Sequence, residues 1–384
     1  MDADTILRNV RQVAAGFAAE RSGRQQRRTL FPEDFVELRK AGVLLTGVPV
    51  ELGGMWEDVH HSTRPVCEII RTLAHGDSSV ALVCAMHPSV LGFWLNSPEV
   101  PSPFQDVWKA QRRHVFETAR DGAWWGTITS EAGTGGDLTK TATTARRAES
   151  DDRYLLTGQK QFGSGSGITS YMITSALAEG EPAPGLFVLD MRGVAWDGST
   201  GVSLAAPWDG HGMAATQSHA MAFKNFPATR SAWPTSFASF MEPHGGSVSC
   251  MFTAVIVGIV ETAVEAARQQ IIRRRETLRP YEQVEWSKAE TEGWLIQQAY
   301  EGMLRAVEDG TEGRRRAVQG KMAIAELAES ATSRICRVVG GGTFSRSSPF
   351  GYWHEDVRAL GFLRPPWGLA YDNLFDWSCA APGA

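Results

Sequence analysis

Residues 123–230 constrain the fold more than any other part of the chain, because they interrupt a helical texture that resumes after them. Short β-branched or aromatic runs, WWGTIT, TATTARRA, RYLLTG, SYMITSAL, GLFVLDM and AMAFKNF, alternate there with Gly, Asp, Ser and Pro. Runs of this length bounded by turn residues predict the strands of a small antiparallel barrel or sandwich. Upstream, apolar residues recur at helical spacing: Ile6, Val10, Val13 and Phe17, then Phe35, Leu38 and Val43, then Val66, Ile69, Ile70 and Leu73. Downstream, helical patterns cover 251–275, 284–308 and 314–339, and a broken stretch follows Pro349. The expected organisation is an N-terminal helical domain over 1–122, a middle β domain over 123–232 and a C-terminal helical bundle over 233–384.

Composition narrows the function. The 384 residues, 43% hydrophobic and 21% charged, suffice for two or three packed domains. A net charge of −5 argues against a nucleic-acid partner, since the basic runs at 273–275 and 314–316 are local. The five cysteines, Cys67, Cys84, Cys250, Cys336 and Cys379, are widely spaced and form no C-x-x-C, so a reduced, cytoplasmic protein is expected. Acids and arginines punctuate the first 28 residues, leaving no signal-peptide core, and no run reads as a membrane span. The histidines show no zincin or facial-triad spacing, and His60 and His61 would point apart on a helix, so no metal site is expected.

Neither a G-x-G-x-x-G opening a helix after a strand nor a G-x-x-x-x-G-K-S/T occurs, and there is no G-x-S-x-G elbow. Three glycine-rich segments remain at the joints between the regions: SEAGTGGD (130–137), GQKQFGSGSG (158–167) and VVGGGTF (338–344). Glycines let backbone amides approach a flat or anionic ligand, so three such loops could line one cofactor cleft.

Five segments in order, LFPEDFVELRKAGVLLTGVPVELGG (30–54), SEAGTGGD, LTGQKQFGSG, GHGMAATQSHAMAFKNFPA (210–228) and GKMAIAELAESATSRICRVVGGGTF (320–344), resemble motifs of the acyl-CoA dehydrogenase superfamily. The resemblance covers nearly the whole chain. It implies a multidomain α and β fold with an N-terminal helical domain, a middle antiparallel β domain and a C-terminal four-helix bundle. It also implies FAD, with FMN as the alternative, at the domain junction of a homo-oligomer, expected to be a tetramer. Carried onto this sequence, Ser130, Gly135 and Ser164 stand against the flavin, Phe162 stands where a Trp packs on it, and Arg275 stands where an arginine reaches a neighbouring subunit's pyrophosphate. Gly340 and Gly341 stand where a glycine pair lets backbone approach the same region.

A dehydrogenase of this superfamily needs a carboxylate to take the proton α to a thioester while the flavin accepts hydride. Arg364 occupies the usual place of that Glu, and the alternative place, within 247–258, contains no acid. GDSSVALVCAMHPSV (76–90) resembles a helix of the superfamily's flavin-dependent monooxygenases, of the dibenzothiophene monooxygenase, aminosugar N-oxygenase and two-component phenol hydroxylase types. That resemblance makes His87 a catalytic candidate alongside Ser164, because an imidazole can accept a proton near neutral pH. The Arg-Asp pair of this branch is here Glu355 and Asp356, its G-M-R arginine is Ala214, and its later histidine is Leu363. Trp94, Trp124, Trp125, Trp208, Trp353 and Trp367 lie near the motifs and suggest an aromatic-walled pocket.

The expected function is a two-component monooxygenase that takes reduced flavin from a separate reductase and hydroxylates a nitrogen or aromatic carbon of a small molecule. An acyl-thioester or amine dehydrogenase with a displaced base is the alternative. A non-catalytic binding protein on the same fold is the third reading.

Overall fold

Three of the N-terminal helices, α1, α4 and α5, begin where the sequence offers an aspartate to cap them. In this computed structural model, which describes residues 1–97, 99–148, 153–241, 245–310 and 312–380, Asp2 accepts the Thr5 N–H at 2.8 Å and opens α1 (Ala3–Ala19). The short α2 (Arg21–Gln25) and α3 (Pro32–Ala41) follow. Asp58 accepts from the His60 and His61 N–H groups at α4 (Val59–Ala74), and Asp77 from Val80 at α5 (Ser78–Leu95). Residues 79–94 of α5 are all buried, so this helix has no solvent face and crosses the interior. The helix α6 (Gln105–Arg120) closes the region.

The middle strands are β1 (Trp125–Thr127), β2 (Thr144–Arg147), β3 (Arg153–Gly163), β4 (Tyr171–Ala178), β5 (Gly185–Asp190), β6 (Val202–Ala206) and β7 (His219–Arg230). Their pairing runs β4, β2, β3, β7, β5 and returns to β4, which closes a barrel, with β1 added on β4 and β6 on β7. Two details differ from the sequence expectation. The pairs β1–β4 and β2–β4 are parallel in an otherwise antiparallel sheet. The strand β6 has no counterpart among the expected runs, because Val202 is the one buried side chain in its five residues.

The C-terminal region is α7 (Phe237–Met241), then three long helices, α8 (Gly245–Arg274), α9 (Pro280–Glu308) and α10 (Gly313–Val339), then α11 (Pro349–Val357) and α12 (Trp367–Cys379). The shorter α11 completes the bundle against α8 and α10, and α4 packs on the outer side of α8. Gly258 permits that crossing: a Cβ there would lie 2.5 Å from the Arg71 carbonyl oxygen. Arg64 of α4 pairs with Glu301 and Glu308 of α9 at 2.8 and 2.5 Å, fixing the two regions. One apolar core runs through α1, α3, α4, α5, α8, α9 and α10.

Segment Ser78–Leu95 has a mean hydropathy of 1.5 and the most apolar 18-residue window of Gly246–Thr277 one of 1.9, and both have the length to cross a membrane, contrary to the reading that no run approaches a span. In the fold, 89% of the first segment and 78% of the most apolar 18-residue window of the second are buried inside the protein, which gives their apolar faces a protein partner.

Candidate active site

The glycine-rich loops meet at one edge of the barrel. Gln161 donates its N–H to the Ser130 carbonyl at 2.8 Å, joining the 130–137 loop to the end of β3. Immediately beyond, Phe162 has φ +58°, a conformation costly for a bulky residue, and remains 53% exposed. Its ring stands edge-on to Trp208, 6.1 Å between centroids. Ser164 Oγ lies 2.8 Å from Ser218 Oγ, which lies 2.7 Å from Thr216 Oγ1, a row of three buried hydroxyls. Gly135 has φ +61°, and nothing would touch a Cβ there.

The bundle reaches this edge through the turn after α11. The Arg364 guanidinium donates to Ser130 Oγ at 3.0 Å and to the Gly136 carbonyl. Pro366 packs so closely on Gly136 that a Cβ there would lie 2.6 Å from its ring. Beneath, Lys321 of α10 is fully buried, and its Nζ donates to the carbonyls of Leu363 and Pro365 at 2.9 and 2.7 Å. Burial pushes the Lys321 ammonium down to about 7 and the Arg364 guanidinium down to about 10. A third buried cation, Lys160, has a carboxylate: Glu131 lies 2.6 Å away. Glu131 also accepts from Thr141, Ala142 and Thr143. The Lys160 ammonium, followed by these hydrogen bonds, outweighs the desolvation of Glu131 and holds its pKa down to about 2.

A second junction lies alongside. Asp356 of α11, fully buried, accepts from the Met213 N–H at 2.6 Å and from Ser78 Oγ at the start of α5. Burial raises its carboxyl to about 6. Gly212 lies so close to the Glu355 carbonyl that a Cβ would sit 2.3 Å from the oxygen. Asp356 thus ties the 210–214 loop to both helical regions.

Ser130, Gly135, Phe162 and Ser164 therefore come together, with Arg364 facing them. Arg275 and Gly340–Gly341 lie elsewhere, at the end of the bundle where Arg274 donates to the Val339 carbonyl at 3.3 Å. The Arg275 side chain is 78% exposed and pairs with Glu276 at 3.3 Å. Backbone at Gly340 and Gly341 is open, with nothing within reach of an added Cβ.

His87 requires correction. Its ring is fully buried on α5, its Nε2 donates to the Leu44 carbonyl at 3.0 Å, and its Nδ1 accepts the Trp125 N–H at 3.1 Å. Both nitrogens are used, one tautomer is fixed, and burial pushes the pKa down to about 4. This imidazole braces the barrel against α5 and has no nitrogen left to take a substrate proton. The aromatic pocket is corrected too. Trp94 and Trp125 are core residues, Trp94 packed on Trp108 and Trp125 stacked on Tyr171 at 4.7 Å. Trp124 packs in the core on Phe35, and Trp353 is buried under Arg21. Of the six tryptophans, Trp208 alone stands beside the exposed Phe162.

Sequence reasoning missed Lys160 and Lys321. Both occupy positions where the surrounding pattern demands an apolar residue. Tyr154 and Leu156 alternate into the barrel ahead of Lys160, and Ala317, Ile324, Ala328 and Ile335 form the buried stripe of α10 around Lys321.

An exposed aromatic at a strained position, a row of hydroxyls, open glycine backbone and a facing cation fit a flat ligand with an anionic edge. Comparison with known proteins agrees. Residues 126–226 match the acyl-CoA dehydrogenase middle domain. An amino sugar nitrososynthase of Streptomyces rubradiris is 25% identical over 84% of this chain and 77% of its own. FMN-bound TdsC from Paenibacillus sp. A11-2 superposes with a TM-score of 0.79 at 18% identity, covering 97% of each chain. Butyryl-CoA dehydrogenase from Megasphaera elsdenii superposes at 0.82 and 15% identity, covering 98% of each. The chain thus carries an acyl-CoA dehydrogenase middle domain over 126–226 and has the overall fold of the acyl-CoA dehydrogenases, and the curated relatives it resembles in sequence, at 25–26% identity, are amino sugar nitrososynthases.

Proposed function

We propose that this protein is a flavin-dependent monooxygenase that uses reduced flavin and O2 to oxygenate a nitrogen of a small molecule. The observation that supports this reading is Arg364, whose guanidinium lies against Ser130 and Gly136 at the cleft and which, by the motif resemblance, would stand where a dehydrogenase has its carboxylate base. The acids around the cleft are engaged elsewhere, Glu131 with Lys160, Asp137 with Thr139 and Lys140, and Asp356 with Met213 and Ser78. The likeness to an amino sugar nitrososynthase supports nitrogen as the atom oxygenated.

Phe162 and the Ser164–Ser218–Thr216 hydroxyls would hold the flavin ring, and the Ser130–Gly136 backbone its polar edge. When bound, the reduced flavin supplies the two electrons that activate O2. The chain's own residues orient the ring, exclude water behind the buried hydroxyl row, and keep a positive charge opposite it. In a homo-oligomer, which we take to be a tetramer, Arg275, Gly340 and Gly341 of an adjacent copy would meet the distal part of this flavin. A separate reductase supplying reduced flavin, and a cytoplasmic setting, complete the proposal.

Anaerobic titration with reduced and oxidised FMN and FAD tests it. Reduced flavin should bind at least about tenfold tighter, a differential of roughly 1.4 kcal/mol, and 18O from O2 should appear in a hydroxylated amine. A preparation that retains oxidised FAD and is bleached by acyl-CoA without O2 would make the protein a dehydrogenase.

A further inference from the structure

Arg364 is a half-buried charge without a direct ion-pair partner among the described residues. Among the described residues no carboxylate lies within ion-pair distance of its guanidinium, whose two hydrogen bonds go to a carbonyl and a hydroxyl. Five N–H donors are available to an arginine, so three remain without an acceptor. Of the neighbouring charges only Asp137 favours it, from beyond ion-pair distance. Lys160 is also positive and already holds Glu131, Asp137 is paired with Lys140 at 3.3 Å, and Lys321 beneath carries no acid at all. Taking a charge out of water without a partner costs several kcal/mol, and proteins retain such arrangements where a ligand supplies the missing charge. The side chain is also held in place: Lys321 binds the carbonyl on each side of it, and Gly136 and Pro366 interlock across it. A preorganised guanidinium fork matches the two oxygens of an oxyanion.

We propose that Arg364 is the anchor for an oxyanion on the substrate, a carboxylate or phosphate, so that this enzyme selects anionic small molecules. Lys321 is its positioning residue, acting through the Leu363 and Pro365 carbonyls. The inference rests on the reading of this cleft as the catalytic site, yet its test needs no turnover and no bound flavin.

The probes are benzoate, set against neutral benzamide, and inorganic phosphate; FMN set against riboflavin reports separately on the cofactor's own phosphate. Calorimetry on the wild-type protein should give saturable binding of benzoate or phosphate and at least about tenfold weaker binding of benzamide, as expected for a hydrogen-bonded charge. Arg364→Gln should remove that preference while leaving the affinity ratio of FMN to riboflavin within about threefold of wild type. Equal binding of benzoate and benzamide, with no phosphate binding, would overturn the proposal. So would an Arg364→Gln protein whose only change is loss of the FMN preference, since the anion would then be the cofactor's phosphate. If Arg364→Gln does not fold, Arg364→Lys keeps the charge but not the fork and should weaken benzoate about tenfold; unchanged affinity would overturn the anchor. Reduced-flavin binding is measured separately, so failure there would remove the monooxygenase reading without touching this result.

Discussion

Lys321 spans Arg364: its Nζ donates to the carbonyl of the residue before it at 2.9 Å and of the residue after it at 2.7 Å. A buried ammonium thus sets the backbone that presents a half-buried guanidinium, and neither has a carboxylate within ion-pair distance among the described residues. Replacing Lys321 with Met fills the same space but leaves two half-buried carbonyls without their donor, which should cost about 1–3 kcal/mol. The pH dependence gives a second signature. The Lys321 pKa is lowered from 10.5 to about 7 in the fold, so the unfolded chain holds the proton more strongly between those values. This group's contribution to stability is therefore full above 10.5 and is lost as pH falls through 7. Urea unfolding at pH 7 and pH 9.5 should show a rise in wild type that is smaller in Lys321→Met. An equal rise in both would mean that Lys321 is not the group responsible.

The Glu131–Lys160 pair should respond unequally to removal of either partner. Lys160→Met leaves Glu131 with hydrogen bonds from Thr141, Ala142 and Thr143, so the carboxylate stays solvated by the protein. Glu131→Gln leaves Lys160 fully buried with only the neutral Thr141, Ser175 and Thr129 oxygens. Breaking a buried pair typically costs about 3–5 kcal/mol, and Glu131→Gln should fall in that range with Lys160→Met clearly below it. Chemical denaturation of both variants at pH 7 decides the order.

His87 should behave as a brace. Its loss leaves the Leu44 carbonyl and the Trp125 N–H unpaired in the core, so His87→Leu should destabilise by about 2–4 kcal/mol. Its pKa is lowered from 6.5 to about 4, so its contribution is full above 6.5 and is lost as pH falls through 4. Wild type should lose stability across that window more steeply than the variant. A variant with unchanged melting temperature and strongly reduced oxygenation would return His87 to catalysis.

The sequence made the architecture readable wherever one periodicity held over many residues. The helices around Ile6, Val66 and Ile324 and most strands of the barrel follow directly from spacing. The strand β6 escaped because it exposes most of its side chains, so it has no alternation to read. The motifs also located Ser130, Phe162 and Ser164 near one another, since glycines mark where the chain must turn at the barrel edge. Burial was harder to see. A histidine next to Pro88 on a helix looks the same in sequence whether it faces a cleft or a core, and the all-apolar α5 decides for the core only once it is packed. The signal for Lys160 and Lys321 was present as a charge on a buried stripe, but a lone lysine among apolar residues also fits a helix edge from which its ammonium reaches water.

Asp356 carries the last prediction, because one carboxylate there joins three parts of the chain. It accepts from Met213 in the 210–214 loop and from Ser78 at the start of α5, while itself belonging to α11. Burial raises its pKa from 3.8 to about 6, so the fold favours the protonated acid relative to the unfolded chain. This group's contribution is thus full below 3.8 and is lost as pH rises through 6. Asp356→Asn retains an acceptor for Met213 and offers an amide donor to Ser78 without a charge to desolvate. Its stability should stay within about 1 kcal/mol of wild type at pH 7.5, and the loss between pH 4 and 6 assigned to this group should disappear. Asp356→Ala orphans both donors and should cost about 2–4 kcal/mol at pH 4.5, and less at pH 7.5, where the wild-type group has lost its contribution. Melting curves of the three proteins at pH 4.5, 6 and 7.5 separate these outcomes: an Asn variant as damaged as the Ala variant at pH 7.5 would show that the ionised carboxylate, and not merely an acceptor, holds the junction.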